Sequence, residues 1–372
     1  MEFSRRGWLG LAAAASAAIP ARGITIRPML PDRTGFAPAP GIAHLKYNEN
    51  ALGPPPSSIE AMAALASSSW YYADDAEGRL AAMIGKRLGV PAAQVVLGHG
   101  SSEVITSAAL AWGKRGTILL PALQFDEPLL YPMAQELNFR RVAMAPDMGI
   151  DLGALARAAA APDVAMIYLC NPNNPTGMML PAADLIAFAK ALPPRVTLLV
   201  DEAYMELADD PAGSTMLPLV QAGANIIVTR TFSKLFGMAG LRIGYAVASP
   251  ANAAELKRHR VTISLNAPGL AAAIAAWDDG GFQQQSRSAI AAARRVLQAG
   301  VAKAGTVALP SQTNFLFVKV ADANRFAAAM AQRGILVRGA WGPAWPEWSR
   351  VSTGRMADVE RYAAALPELV KA

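Results

Sequence analysis

Seven short apolar runs, at 94–97, 117–120, 139–144, 164–169, 196–200, 225–229 and 242–248, alternate with Ala-rich segments of helical period at 57–68, 101–112, 129–137, 152–160 and 181–191. Runs of the first kind read as buried strands and segments of the second as helices. Their alternation predicts an α/β fold with a mostly parallel sheet sandwiched by helices. Around Pro250 the pattern changes. An Ala-rich helical region at 251–305 leads to shorter strands near 315–320, 335–338 and 350–352, and then to a terminal helix from Met356. A chain of 372 residues suits two domains sharing a cleft. We expect a large domain over 46–249 and a smaller one over 250–372, with the Pro/Gly-rich stretch 24–45 forming an extended arm packed on the smaller domain.

Hydrophobic residues make up 53% of the chain and charged ones 17%, the balance of a globular folder. The formal charge is +6, but the 34 basic residues are scattered without a run of five. That pattern favours anionic small molecules and excludes a nucleic-acid footprint. Cys170 is the sole cysteine, so no intrachain disulfide can form, and three histidines argue against a His/Cys metal cluster.

The N-terminus reads Ser4-Arg5-Arg6-Gly7-Trp8-Leu9 and then continues without charge to Arg22. It resembles a twin-arginine export signal with Trp8 at the position where such signals usually have Phe. The apolar part, about fifteen residues, is shorter than the roughly 20 that span a membrane, which favours a cleaved peptide over 1–23 and no stable anchor. We therefore expect a periplasmic or secreted protein. The alternative is an apolar N-terminal helix on a protein that stays in the cytoplasm.

In an open α/β sheet, ligands gather beyond the carboxyl ends of the strands, and four junctions there are unusual in composition. Tyr168-Leu169-Cys170 runs into Asn171-Pro172-Asn173-Asn174-Pro175-Thr176-Gly177, a non-helical loop that presents amides and also reads as a plain structural turn. The run 196–200 ends in Asp201-Glu202-Ala203-Tyr204, which puts a carboxylate and a phenol at the mouth of a buried strand. Such a carboxylate needs a partner, since desolvation alone would neutralise it, and a cationic heterocycle is one such partner. Thr231-Phe232-Ser233-Lys234, continued to Arg242, gathers hydroxyls, a lysine and an arginine, the chemistry expected around a phosphate and a reactive carbonyl. Gly98-His99-Gly100-Ser101-Ser102 follows a strand and opens a helix, an anion site made of backbone amides; alone it is a weak signal.

Together these segments resemble the class I/II, fold type I aminotransferases, and most closely the histidinol-phosphate aminotransferase group. The likeness covers nearly everything after residue 40, including Leu45-Lys46-Tyr47-Asn48-Glu49-Asn50, Tyr72, and Arg350 in Arg350-Val351-Ser352-Thr353-Gly354. It implies the fold type I architecture with a smaller α+β C-terminal domain, a homodimer, and pyridoxal 5′-phosphate (PLP) bound as a Schiff base on Lys234. By the same resemblance, Lys234 would also shuttle the proton at Cα, and Asp201 would pair with the pyridine nitrogen. Asn174 and Tyr204 would bond the phenolic oxygen, and Ser101, Ser102, Thr231 and Arg242 would hold the phosphate, with Tyr72 reaching it from a second subunit. Arg350 would grip the substrate carboxylate, with Arg338 and Asn50 further substrate contacts.

The departures from that family concern the ring and the substrate. Pro121-Ala122-Leu123-Gln124-Phe125 lacks the usual Pro-Thr-aromatic pattern, so Phe125 reads either as the ring-stacking residue or as core, and Tyr72 stands in an altered Tyr71-Tyr72-Ala73-Asp74 context. Arg338 precedes a loop with Trp341, Trp345 and Trp348, which either closes a substrate pocket or packs the small domain. Expected partners are an amino acid, or a histidinol-phosphate-like amine, and a 2-oxo acid. A PLP-dependent lyase or decarboxylase is the alternative enzyme, and binding without turnover, as a sensor, is the alternative outside enzymes.

Overall fold

The structure, a computed structural model, describes residues 37–371; the arginine pair and the apolar run of the N-terminus lie outside the described residues. Residues 40–371 belong to one compact unit. Its strands are β1 (Ala43–His44), β2 (Val95–His99), β3 (Thr117–Pro121), β4 (Phe139–Val142), β5 (Val164–Cys170), β6 (Thr197–Asp201), β7 (Ile226–Thr231), β8 (Ile243–Ala248), β9 (Phe315–Lys319), β10 (Ile335–Leu336) and β11 (Trp348–Ser352).

A seven-stranded sheet in the order β2-β8-β7-β6-β5-β3-β4 is the centre of the molecule. All seven apolar runs are in it. They lack alternation because both faces are covered: Leu119, Leu169, Leu198 and Val228 enter one hydrophobic cluster, and Ile118, Tyr168, Leu199 and Ile227 the other. Only β8 is reversed, pairing antiparallel with β2 on one side and β7 on the other. The carboxyl ends of β2, β5, β6 and β7 therefore share one edge with the amino end of β8.

Two helices of ten residues or more, Asp74–Leu88 and Ala323–Gln332, have no counterpart among the expected segments. Residues Asp74–Leu88 are helical despite Gly78 and Gly85, because Leu80 and Ile84 are fully buried in the first cluster. The glycine at 85 is needed, since a Cβ there would stand 2.6 Å from the Val90 carbonyl oxygen. The region 251–305 resolves into three helices, Pro250–His259, Ala267–Trp277 and Gly280–Lys303. The first two pack on the central sheet through Leu256 and through Ala272, Ala273 and Trp277. A separate core then gathers Leu297, Leu316, Phe326, Val351 and Tyr362 with Ala43 and Leu45. The cores thus part inside the helix Gly280–Lys303, where Ile290 still faces the sheet cluster and Ala293 the second core. A division at 249 does not match them, because a change of secondary-structure style need not coincide with a change of packing partner. The end of the expected arm does join the second core, β1 pairing in parallel with β10.

Candidate active site

The shared sheet edge opens on a cavity of about 320 Å³. Eleven of the residues singled out in the sequence line it: Ser101, Ser102, Phe125, Asn174, Asp201, Tyr204, Thr231, Lys234, Arg242, Arg338 and Arg350. They come from separate parts of the chain and converge because the strand ends converge.

At one end lies an anion cradle. The helix Ser101–Gly113 begins at Gly100 without a side-chain cap, so its first amides are free and the helix dipole favours a negative ligand. Arg242, in the left-handed region at φ 56°, precedes the reversed strand β8, which is why it reaches this edge at all. Its Nη1 donates to Ser233 Oγ at 3.3 Å and to the Ala239 carbonyl at 2.9 Å, and Thr231 Oγ1 donates to Ser233 Oγ at 2.9 Å. Two glycines make the approach possible: a Cβ at Gly100 would lie 2.2 Å from Arg242 Nη2, and one at Gly244 would lie 2.1 Å from the Ser101 amide nitrogen.

The floor is acidic. Asp201, 2% exposed at the end of β6, accepts from Thr229 Oγ1 at 2.8 Å. Burial pushes its carboxyl up to about 6, against the opposing pull of the Thr229 hydrogen bond. Such a group gains from a cation placed over it. Tyr204 is also buried, which raises its phenol, and its oxygen accepts from Asn48 Nδ2 at 3.1 Å.

Between floor and mouth stands Lys234. Its Nζ donates to the backbone carbonyls of Asn48 at 3.1 Å and Tyr47 at 3.4 Å and lies 5.6 Å from the centre of the Tyr204 ring. Burial, reinforced by the Arg350 cation, pulls its amine down to about 8, so a useful fraction is neutral near physiological pH. Arg350, 5% exposed on β11, donates to Asn174 Oδ1 at 2.5 Å and to the Lys46 carbonyl at 2.8 Å. Its Nε is buried without a partner, and burial lowers the guanidinium to about 10. Among the described residues, Arg242, Arg338 and Arg350 form no salt bridge. Three unpaired guanidiniums around one cavity define a site for anionic ligands.

Two expected residues lie elsewhere. Asn50 does not line the cavity: its Nδ2 donates to the Leu235 carbonyl at 2.9 Å and to Ser286 Oγ at 2.6 Å, which braces the turn after Lys234. Tyr72 is 79% exposed and lines a surface groove on another face, outside the cavity of its own chain. Phe125, half-buried, faces the cavity. The tryptophan loop divides its duties: Trp341 lies under Arg338 and Arg350 at 5.2 and 5.1 Å, whereas Trp348 stacks on Phe317, the ring centroids 5.2 Å apart, across the β9–β11 pair. Tyr47, Asn48, Glu49 and Glu127, which carry no role in the expectations above, also line the cavity, as does Ser233. The segment 45–50 carried a signal as a motif, but nothing local told which of its side chains face inward.

An α/β sheet that presents a lysine of lowered pKa, a buried acid and an anion cradle at one strand edge defines a lysine-dependent cofactor enzyme. The chain belongs to the aminotransferase class I and II family, whose model matches residues 42–366. It is 37% identical to histidinol-phosphate aminotransferase 1 of Thiobacillus denitrificans, over 89% of this chain and 86% of that protein. With the histidinol-phosphate aminotransferase of Rhodospirillum centenum it shares 38% identity over 90% and 94%. The crystal structure of histidinol-phosphate aminotransferase from Sinorhizobium meliloti in complex with pyridoxal 5′-phosphate superposes with a TM-score of 0.79 at 32% identity, covering 88% of this chain and 91% of that one. The fold is therefore fold type I, the cofactor is PLP and the reaction is transamination, in preference to the lyase alternative. The cavity fits that cofactor on its own terms: the cradle suits a phosphate, Asp201 a ring cation, and Lys234 an aldehyde.

Proposed function

We propose that the substrates are amines bearing an anionic end, exchanged with a 2-oxo acid, and that a histidinol-phosphate-like amine is among them. One observation carries the reading: Arg350 and Arg338, both without a carboxylate partner, flank Trp341 in the cavity that holds Lys234. Arg350 would take an α-carboxylate as a bidentate fork, and Arg338 a second anionic group at the mouth. The names of the relatives at 37% and 38% identity support the phosphorylated amine.

PLP supplies an aldehyde that condenses with amines and a protonated ring that accepts electron density from Cα. The remaining work belongs to side chains. Lys234 would hold the cofactor through Nζ, and the same amine would carry the Cα proton. Asp201 would keep the ring nitrogen protonated, and Asn174 and Tyr204 would donate to the phenolic oxygen. Ser101, Ser102, Thr231 and Arg242 would hold the phosphate, and Phe125 would cover the ring.

A screen of amino donors with purified protein, read as loss of cofactor absorbance with stoichiometric 2-oxo acid, tests the reading. Arg338→Ala should lower kcat/KM for a phosphorylated amine by about 10- to 100-fold while changing that for simple amino acids by less than about threefold. Equal losses for both would remove Arg338 from substrate choice, and ammonia release in place of amino transfer would overturn the reaction.

Two further parts of the reading concern assembly and location. A homodimer is supported by Ile59, Trp70, Tyr71 and Tyr72, which are 53%, 75%, 60% and 79% exposed; such apolar groups gain from burial against a second copy, whose phosphate Tyr72 would reach. Export to the periplasm, or secretion, is supported by Arg5 and Arg6 ahead of an uncharged run. The second core, with Arg350 and Arg338, would act as a mobile smaller domain over the large PLP-binding one.

A further inference from the structure

Asn48 touches more of the machinery than any residue assigned above. It is 2% exposed and sits in the left-handed region at φ 57°, a conformation in which asparagine is several-fold enriched over most residues. Each polar group of its side chain and backbone has at least one partner. Its backbone amide donates to Ser352 Oγ at 2.8 Å, and Ser352 Oγ donates in turn to Asn48 Oδ1 at 2.7 Å. Asn48 Nδ2 donates to the Tyr204 phenol at 3.1 Å. Its carbonyl accepts from Lys234 Nζ at 3.1 Å and from Asn314 Nδ2 at 2.9 Å.

Two consequences follow from donor and acceptor counting. Nδ2 can only donate, so the Tyr204 oxygen receives that bond as an acceptor and its own hydrogen must point elsewhere; no other partner for it exists among the described residues, and Tyr204 faces the cavity. The amine of Lys234 rests on a backbone carbonyl whose direction is set by the left-handed turn at 48. Ser352, which locks this turn, lies two residues after Arg350 on β11.

We propose that Asn48 is a positioning residue that turns the Tyr204 hydroxyl hydrogen into the cavity and holds the free amine of Lys234 on its own carbonyl, both keyed through Ser352 to the strand that carries Arg350.

The discriminating variant is Asn48→Asp, which keeps the size, the tolerance of positive φ and the acceptor for Ser352 but replaces the donor with an acceptor. The phenol hydrogen must then turn back to residue 48. The charged groups that act on Lys234 are Arg350, Glu49, Arg242 and Asp201, and a new carboxylate at 48 would add to the acidic ones. With PLP bound, the pH midpoint of the cofactor's visible absorbance should rise by about one unit. In apoprotein, the pH midpoint for acylation of Lys234 should rise as well. For an amino donor, kcat should fall about tenfold with KM within about twofold, because Arg350 is untouched. Asn48→Gly keeps the backbone conformation and the carbonyl but deletes Nδ2. It should lower kcat similarly, and it should add nothing to Tyr204→Phe in the double variant. If Asn48→Asp does not load cofactor, the Asn48→Gly and Tyr204→Phe cycle decides. Additive losses in that cycle, or an unmoved absorbance midpoint in loaded Asn48→Asp, would overturn the proposal.

Discussion

Asp201 and Thr229 face each other across β6 and β7 in register, joined by a 2.8 Å hydrogen bond from the threonine hydroxyl to the carboxylate. The bond orients the acid but does not neutralise it, and the carboxyl remains raised from 3.8 to about 6 by burial. A raised carboxyl contributes stability that is full below the unfolded-state value and lost as pH climbs through the folded value. In the apoprotein at neutral pH, the ionised acid therefore opposes folding by about 1–3 kcal/mol.

Asp201→Asn should consequently give an apoprotein about 1–3 kcal/mol more stable than wild type at pH 8, with the gain vanishing below about pH 4. The same variant should lose about 10²-fold or more in kcat, because the ring cation loses its partner. Denaturant midpoints at several pH values and steady-state kinetics check both halves; a variant less stable than wild type at pH 8 would contradict the burial argument.

The amine of Lys234, lowered to about 8, should react with an acylating reagent in apoprotein with a midpoint near that pH, well below the ordinary lysine value of 10.5. Arg350→Ala removes a neighbouring cation that disfavours the ammonium form, so its midpoint should move upward. Peptide mapping of the labelled site across pH gives the answer, and a midpoint that stays or falls in Arg350→Ala would refute the assignment of cause.

Gly100→Ala should strain a backbone at φ 75° and drive the Arg242 guanidinium out of the cradle. We expect PLP to bind about 10- to 100-fold more weakly, with a stability loss of about 1 kcal/mol. Gly240→Ala, which meets nothing within 4 Å, serves as the control. Equilibrium dialysis of cofactor from both variants makes the comparison.

Arg5→Lys with Arg6→Lys should keep the protein in the cytoplasm of its native host if the N-terminal segment is read as a twin-arginine signal. Fractionation and immunoblotting measure it; unaltered export would remove that reading and leave the enzyme chemistry intact.

The chemistry at the carboxyl ends of β5, β6 and β7 was legible in the chain itself. Asp201 follows a buried apolar run directly and Asn174 and Lys234 come within five residues of one, so strand periodicity brought them to one edge. Asn50 and Asn48 were not separable that way, since they are two residues apart in an irregular segment and only its left-handed turn decides that Asn48 faces the cavity while Asn50 braces Leu235. The helix Asp74–Leu88 escaped notice because its glycines weaken the local signal that burial of Leu80 and Ile84 overrides.

By itself, then, the sequence determined the sheet, its covered faces and the identity of the reactive groups, because apolar run length and residue chemistry are local properties. Tertiary structure decided the reversal of β8, which brings Arg242 to the ligand edge, and the seating of β11, which sets Arg350 and Ser352 against Asn174 and Asn48. Strand direction and the docking of one core on another depend on contacts between segments far apart in the chain, and those energies have no local signature.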